Sequence, residues 1–396
     1  MSAPKKILNQ VVKYNYPTTI MAGIGAVKLL PSHLEENHLS RPLIVTDKGI
    51  STLPIFSNLV NLLKDAGLTP GSFTDFSGNP VKSQVVNGKT KFQQHQADSI
   101  IAFGGGAALD VAKAIAVIIN NPGDLFDYED VDGAKPITEE IPHLVAIPTT
   151  AGTGSEAGRS AVVSDDKTKR KKIIFAPSLM PKKVFLDPEM TMDLPANITA
   201  STGMDALTHL IEAYLAKGGQ PLCDGIALEG MRLVSVHLPR CVAFAKKGNK
   251  KSKEHYESRL QMLNAAMMGA AAFQKGLGVT HSCAHALSTV VDMHHGLANG
   301  ILLPYCMKFN QKGMADRFKN MAQAVGIKKT GAADFIKWIE SLNKKIGIPK
   351  HLKTVGVAKS QIPQLVEIAI HDVCHPSNPR PVSKKDFETI LKQAIG

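Results

Sequence analysis

The feature that most constrains this chain is a change of pattern near residue 195. Before it, short β-branched runs alternate with helical patterns; after Leu194-Pro195 the runs stop. Leu43-Ile44-Val45-Thr46 follows Arg41-Pro42 and ends at Asp47, which reads as a buried strand. Residues 99–103, 143–148 and 183–186 read the same way, with helical spacing over 55–66 and 107–120 between them. Strand, helix and strand at this rhythm predict right-handed βαβ crossovers and a parallel sheet. Beyond Pro195, residues 200–216, 224–233, 258–273, 279–291 and 334–346 carry helical periodicity. The reading is an α/β domain over 1–194 followed by a helical domain over 195–396, a size that one core rarely organises.

Composition narrows the class. With 44% hydrophobic and 20% charged residues, the chain is neither a disordered tail nor a fibre. Its five cysteines (Cys223, Cys241, Cys283, Cys306, Cys374) are scattered and form no C-x-x-C pair, which argues against a disulfide framework or zinc ribbon and for a cytoplasmic protein. No apolar stretch follows the first lysines, so no signal peptide is expected. No window nears 18 unbroken apolar residues, so no membrane span is expected either. The net charge of +12 is partly concentrated in residues 167–172 and 246–253. Neither run is interleaved with aromatic residues, as a nucleic-acid surface would be, so solvated surface is expected and no nucleic-acid partner.

Three segments in the first half sit where strands end. Gly104-Gly105-Gly106 stands between an apolar run and a helix that carries Asp110 and Lys113 on its polar side. Glycines there let backbone N–H groups and a helix N-terminus approach a phosphate, although they serve equally for a plain tight turn. The G-x-G-x-x-G fingerprint is absent. Asp47 ends a strand, where a carboxylate can accept from ribose hydroxyls. Pro148-Thr149-Thr150-Ala151-Gly152-Thr153-Gly154-Ser155-Glu156 adds small hydroxyls and flexible backbone after a third strand.

The second half holds a histidine and aspartate constellation. Asp205 and His209 are spaced i,i+4, on one helix face. Of the chain's 14 histidines, four (His281, His285, His294, His295) fall within residues 281–295. Asp205, His209, His281 and one of the later histidines would form an oxygen-and-nitrogen set suited to Fe²⁺, Zn²⁺ or Mn²⁺. Cys283 faces away from the His281/His285 side and reads as a packed thiol.

On these residues the sequence resembles the iron-containing (group III) alcohol dehydrogenase family, from about Tyr14 to the C-terminal helix. The resemblance is carried by Gly104-Gly105-Gly106-x-x-x-Asp110-x-x-Lys113, the Pro148 to Glu156 segment and Gly203-Met204-Asp205-Ala206-Leu207-Thr208-His209-x-x-Glu212-Ala213-Tyr214. His281-x3-His285-x9-His295-Gly296 and Asn378-Pro379-Arg380 add to it. It implies a Rossmann-like nucleotide-binding α/β domain, an all-helical domain and an active site in the cleft between them. It further implies metal ligation by Asp205, His209, His281 and His295, with His285 near the nicotinamide and substrate. Cofactor contacts would fall to Asp47, Asn79, Gly105, Gly106, Asp110, Thr149, Thr150, Thr153 and Lys171, with Lys172 an equally charged neighbour of the last. Asp47 implies NAD rather than NADP, Fe²⁺ is the implied metal with Zn²⁺ as the alternative, and a homo-oligomer, at simplest a homodimer, is expected.

The activity so implied is reversible hydride transfer between a primary alcohol or aldehyde and NAD(H), with the ion as Lewis acid and His285 relaying the proton. Three departures from the family stand out: His294 replaces a common proline, residues 246–253 look extended, and Phe273-Gln274-Lys275-Gly276-Leu277-Gly278 stands where members acting on simple alcohols tend to carry small or polar residues. Lys275, six positions before His281, and Arg159 could hold an anionic group, which would point to an ω-hydroxy acid such as 4-hydroxybutyrate. The alternative is that both face solvent. A rival reaction class is an NAD- and metal-dependent lyase of the dehydroquinate synthase type; net NADH formation from an alcohol separates the two.

Overall fold

The computed structural model describes residues 12–15, 18–168, 170–249 and 251–396. Residues 1–11, searched above for a leader, lie outside the described residues, as do Lys169 and Lys250 of the two basic runs. The chain divides into two compact units, Met1–Thr150 with Ser155–Thr191, and Ala151–Gly154 with Met192–Gly396.

The first unit contains strands β1 (Val12–Asn15), β2 (Thr19–Ala22), β3 (Pro42–Val45), β4 (Gly71–Phe73), β5 (Ser99–Gly104), β6 (His143–Pro148), β7 (Ser160–Ser164), β8 (Lys171–Phe175) and β9 (Lys183–Leu186). Its helices are α1 (Leu30–Glu36), α2 (Pro54–Asp65), α3 (Lys82–His95) and α4 (Gly106–Asn120). Seven strands form one sheet in the order β1-β2-β9-β6-β5-β3-β4, parallel throughout except for β1. All six residues of β5 are buried, as expected of a strand covered on both faces. One layer beside the sheet packs Leu30, Leu34, Leu59 and Leu63 of α1 and α2 against Ile44, Ile101, Phe103, Val145 and Phe185.

The four strands read from sequence are present, within a residue at each end. Missed were short β1, β2 and β4, and the β7–β8 hairpin, whose second strand includes part of the lysine run at 167–172. Missed too was α3, whose sequence is mostly polar and buries only Val85, Gly88 and Phe92.

The second unit has no β-strand among the described residues. Its helices are α5 (Ala196–Leu215), α6 (Pro221–Lys246), α7 (Lys253–Ala272), α8 (Val279–Val291), α9 (His295–Asn310), α10 (Ala315–Ala324), α11 (Ala332–Ile346), α12 (Ile362–Ile370) and α13 (Lys384–Ile395). α5 is central and packs on α6, α7 and α9, while α8 packs on α9 and α12. The helix expected over 224–233 runs on to Lys246, through Pro239, because Leu238, Cys241 and Val242 continue the buried stripe. α9 escaped the periodicity because glycines and Pro304 interrupt it and it is buried on most sides. All five cysteines are free and buried. No helix among the described residues is long and apolar enough to cross a membrane.

The segment Ala151–Gly154 leaves β6 yet belongs to the helical unit. Gly154 has φ +64°, and a Cβ there would lie 2.3 Å from the carbonyl oxygen of Ala266 on α7. Only glycine permits both that dihedral and that approach.

Candidate metal and cofactor sites

α5 presents Asp205 and His209 one turn apart, α8 contributes His281 from its first turn, and His295 is the first residue of α9. Asp205 Oδ1 lies 4.0 Å from His209 Nε2, 3.9 Å from His281 Nε2 and 3.4 Å from His295 Nε2. Tetrahedral ligands held at about 2.0–2.1 Å from an ion are about 3.4 Å apart. Asp205, His209 and His281 each offer an atom within 4.8 Å of the other two, close enough to share a cation, and His295 approaches through Asp205. The rings of His209 and His281 stack at 4.6 Å between centroids.

Of the two buried imidazoles in this set, His209 has the protonation state of a ligand, whereas His281 is raised: burial pushes it down, but the hydrogen bond and charge of Glu212 outweigh that. Burial lowers His209 to about 4, against the pull of Asp205, so it is neutral near pH 7 as a ligand must be. Glu212, seven residues after Asp205 on α5, fixes His281. Its Oε2 is 2.7 Å from His281 Nδ1 and 2.8 Å from the Gly278 N–H, and its Oε1 accepts from the Thr280 N–H at 2.7 Å. A carboxylate can only accept here, so Nδ1 carries the proton and the Nε2 lone pair faces Asp205. Burial pushes Glu212 up, but the bonds from His281 and Thr280 outweigh it and hold the carboxyl below its ordinary value. Asn299, one turn beyond His295, donates through Nδ2 to Asp205 Oδ1 at 2.8 Å and fixes that carboxylate.

His285, one turn after His281, stands beside this set. Its ring stacks on His295 with centroids 5.1 Å apart, and its Nδ1 lies 2.7 Å from Asp372 Oδ2. His294 caps α9, accepting from the Leu297 N–H.

In the α/β unit, β6, β5, β3 and β4 are neighbours, so the loops at their carboxyl ends share one edge of the sheet, where open α/β sheets bind ligands. Asp47 follows β3, and its Oδ1 accepts from the Gly49 and Ile50 N–H groups. Gly104 ends β5 with φ +148°, and a Cβ there would strike Ala108 at 2.6 Å. Gly105 is the N-cap of α4 and supplies no side chain, leaving the helix N-terminus open. Thr149 donates its N–H to Gly104 O at 2.9 Å, while the hydroxyls of Thr149 and Thr46 are buried without a hydrogen-bond partner among the described residues. Orphaned hydroxyls and an uncapped helix end at a strand-end crevice fit a dinucleotide. Asn79, exposed, follows β4, and Thr150 sits near Gly105. Thr153 lies in the 151–154 segment.

Asp110 accepts from Ser155 Oγ at 2.8 Å. Burial raises its pKa, with Lys113 and Lys171 opposing. Lys172 is tied to Glu129, which separates the two neighbouring lysines and leaves Lys171 as the one whose field bears on Asp110. Lys113 does not lie on a polar face. It is buried and donates to Ser155 O at 2.6 Å, Gly158 O at 2.8 Å and Ser160 O at 3.1 Å.

Lys275 requires a correction. Its side chain is fully enclosed, with Nζ 2.6 Å from Asp224 Oδ1 and 2.9 Å from Tyr214 O. Asp224 also binds Arg317 at 2.5 Å. The ammonium is engaged inside the helical unit and is closed off from solvent. Arg159 is half-buried, with its guanidinium over the Phe175 ring at 5.4 Å.

Glu212, Asn299, Asp372 and Lys113 were assigned no such roles from sequence. Glu212 falls on the same face as Asp205 and Asn299 repeats the i,i+4 spacing from His295, so both were accessible to a helical-wheel argument. Asp372, far along the chain, had no such signal.

Two family models match the chain: iron-containing alcohol dehydrogenase over residues 17–188, and the Fe-containing alcohol dehydrogenase family, C-terminal, over residues 199–395. The 4-hydroxybutyrate dehydrogenase of Cupriavidus necator is 34% identical over 390 residues, covering 96% of this chain and 99% of that protein. The NAD-dependent methanol dehydrogenase of Bacillus methanolicus is also 34% identical, covering 96% and 98%. A crystal structure of 1,3-propanediol oxidoreductase superposes with TM-score 0.89 at 32% identity, covering 98% of this chain and 99% of that one. These matches displace the lyase reading. The chain belongs to the iron-containing alcohol dehydrogenase family and is an NAD(H)- and metal-dependent oxidoreductase of that family, acting on small alcohols or aldehydes.

Proposed function

We propose that this enzyme interconverts a primary alcohol and its aldehyde with NAD(H), using Fe²⁺ held by Asp205, His209, His281 and His295. The observation that carries the assignment is the convergence of three imidazole Nε2 atoms on one oxygen of Asp205. When bound, the ion supplies a Lewis acid that lowers the pKa of the substrate hydroxyl, and NAD accepts the hydride. Glu212 keeps the His281 lone pair turned toward the ion, and Asn299 keeps Asp205 from rotating away. His285, whose Nδ1 is engaged by Asp372, accepts the alcohol proton at Nε2.

On the cofactor side, the N–H groups of Gly105 and Gly106 at the start of α4 would hold the diphosphate. Asp47 would accept from the adenosine ribose and repel a 2′-phosphate, which would select NAD. Thr149, Thr150 and Thr153 offer hydroxyls, Asn79 an amide and Lys171 a positive charge, while Asp110 anchors Ser155.

A neutral primary alcohol is the preferred substrate class, since the cation chosen from sequence to hold a carboxylate is engaged elsewhere. Relatives at equal identity act on either kind by name, 4-hydroxybutyrate and methanol, so an ω-hydroxy acid stays as the second reading, now resting on Arg159 alone. The enzyme works in the cytoplasm as a homodimer, in keeping with its free buried thiols.

Elemental analysis of anaerobically purified protein, followed by NADH formation from neutral and carboxylated primary alcohols, tests the proposal. One equivalent of iron with faster turnover of neutral alcohols supports it. Protein that binds no divalent metal, or forms NADH from none of these alcohols, refutes it.

A further inference from the structure

α8 carries two histidines one turn apart, and each is gripped at Nδ1 by a carboxylate: His281 by Glu212 and His285 by Asp372, both at 2.7 Å. The first grip orients a metal ligand. We propose that the second makes Asp372 the positioning residue of the proton acceptor, an inference that rests on the role given to His285 above.

Asp372 is itself rigidly held. Its Oδ1 accepts from Ser282 Oγ at 2.7 Å and from the Cys374 N–H at 2.9 Å, while Ser282 Oγ accepts from the His375 N–H at 3.0 Å. Ser282 lies one turn before His285 on the same helix, so the segment after α12 is latched to α8 on either side of the histidine's partner. Six residues on, Asn378 Oδ1 accepts from the Val279 N–H at 3.2 Å and from Asn310 Nδ2 at 3.1 Å, which pins the far end of the segment. Donors occupy both oxygens of Asp372, so the carboxylate accepts from Nδ1 and the lone pair of His285 is confined to Nε2. Stacking on His295 leaves the ring little freedom to turn.

Asp372 is no proton carrier. Burial raises it, but the charge and hydrogen bond of His285 and the bonds from Cys374 and Ser282 prevail and hold it well below the usual carboxylate range. It therefore acts through orientation and fixed negative charge beside an imidazole that gains a proton.

A double-mutant cycle on the metal-loaded enzyme tests this. Asp372→Ala should lower kcat about 100-fold and Asp372→Asn, which keeps an acceptor but not the charge, about tenfold. Iron content and the KM for NAD should stay within about twofold in both, because neither side chain is needed for those sites. In a His285→Ala background, either Asp372 change should cost nothing further, since the group it positions is gone. If Asp372→Ala slows the His285→Ala enzyme by another tenfold or more, or leaves the single mutant at full rate, the inference is overturned. Should Asp372→Ala not fold, the same cycle with Asp372→Asn decides. Full activity in His285→Ala alone would remove the proton-acceptor reading and this inference together, whereas an impaired His285→Ala with additive losses removes only the inference.

Discussion

The sites proposed in the two units are made of different materials. In the α/β unit the binding edge is mostly backbone: an uncapped helix N-terminus, a glycine with φ +148° and loops at neighbouring strand ends. In the helical unit it is mostly side chain: a carboxylate, three imidazoles and the groups that orient them. A backbone site tolerates substitution wherever chain geometry survives. A side-chain site fails at single atoms.

The sharpest way to break this contrast is His281→Ala. It should abolish stoichiometric metal binding and lower turnover by at least about 1,000-fold, read by elemental analysis and NADH formation. Retention of both would end the ligand assignment. Glu212→Gln comes next. Every donor around Glu212 points inward, so an amide must set an N–H against an N–H whichever way it turns. Metal affinity should fall about 10- to 100-fold in competition with a chelator, while the NAD dissociation constant is unchanged.

Gly104→Ala probes the backbone site. The added methyl group collides with Ala108 in a strained dihedral, and we expect NAD to bind about tenfold more weakly with metal content unaltered. Metal loss in this variant would show that the two sites are not separable by material. The smallest effect is expected from Glu156→Gln. Burial raises Glu156 to about 7, and its Oε1 has no hydrogen-bond partner among the described residues. The folded protein thus holds a proton that the unfolded chain releases near pH 4.5, so stability falls as pH rises from there to about 7 and is flat above. The variant should gain about 3 °C in Tm over the native protein at pH 8 and none at pH 4.5.

The same division governs what could be read from sequence. Buried parallel strands such as Ser99–Gly104 are continuous apolar runs and announce themselves, whereas Gly71–Phe73 is too short to carry a pattern. The four residues proposed as metal ligands could be picked out because Asp205 and His209 share a face of α5 and His281 and His295 fall in one histidine-rich stretch. Asp372 was not, because a partner 87 residues from His285 depends on tertiary packing. Lys275 was misjudged for a related reason: proximity in sequence to His281 says nothing about Asp224, 51 residues earlier, which claims its charge.

The enclosed ammonium of Lys113 has a use of its own. Burial lowers it to about 8, and three carbonyls and a hydroxyl keep it out of reach of solvent reagents. An amine-reactive label would modify it only in moments when residues 155–160 lift off α4, making that one lysine a clock for the breathing of the loop.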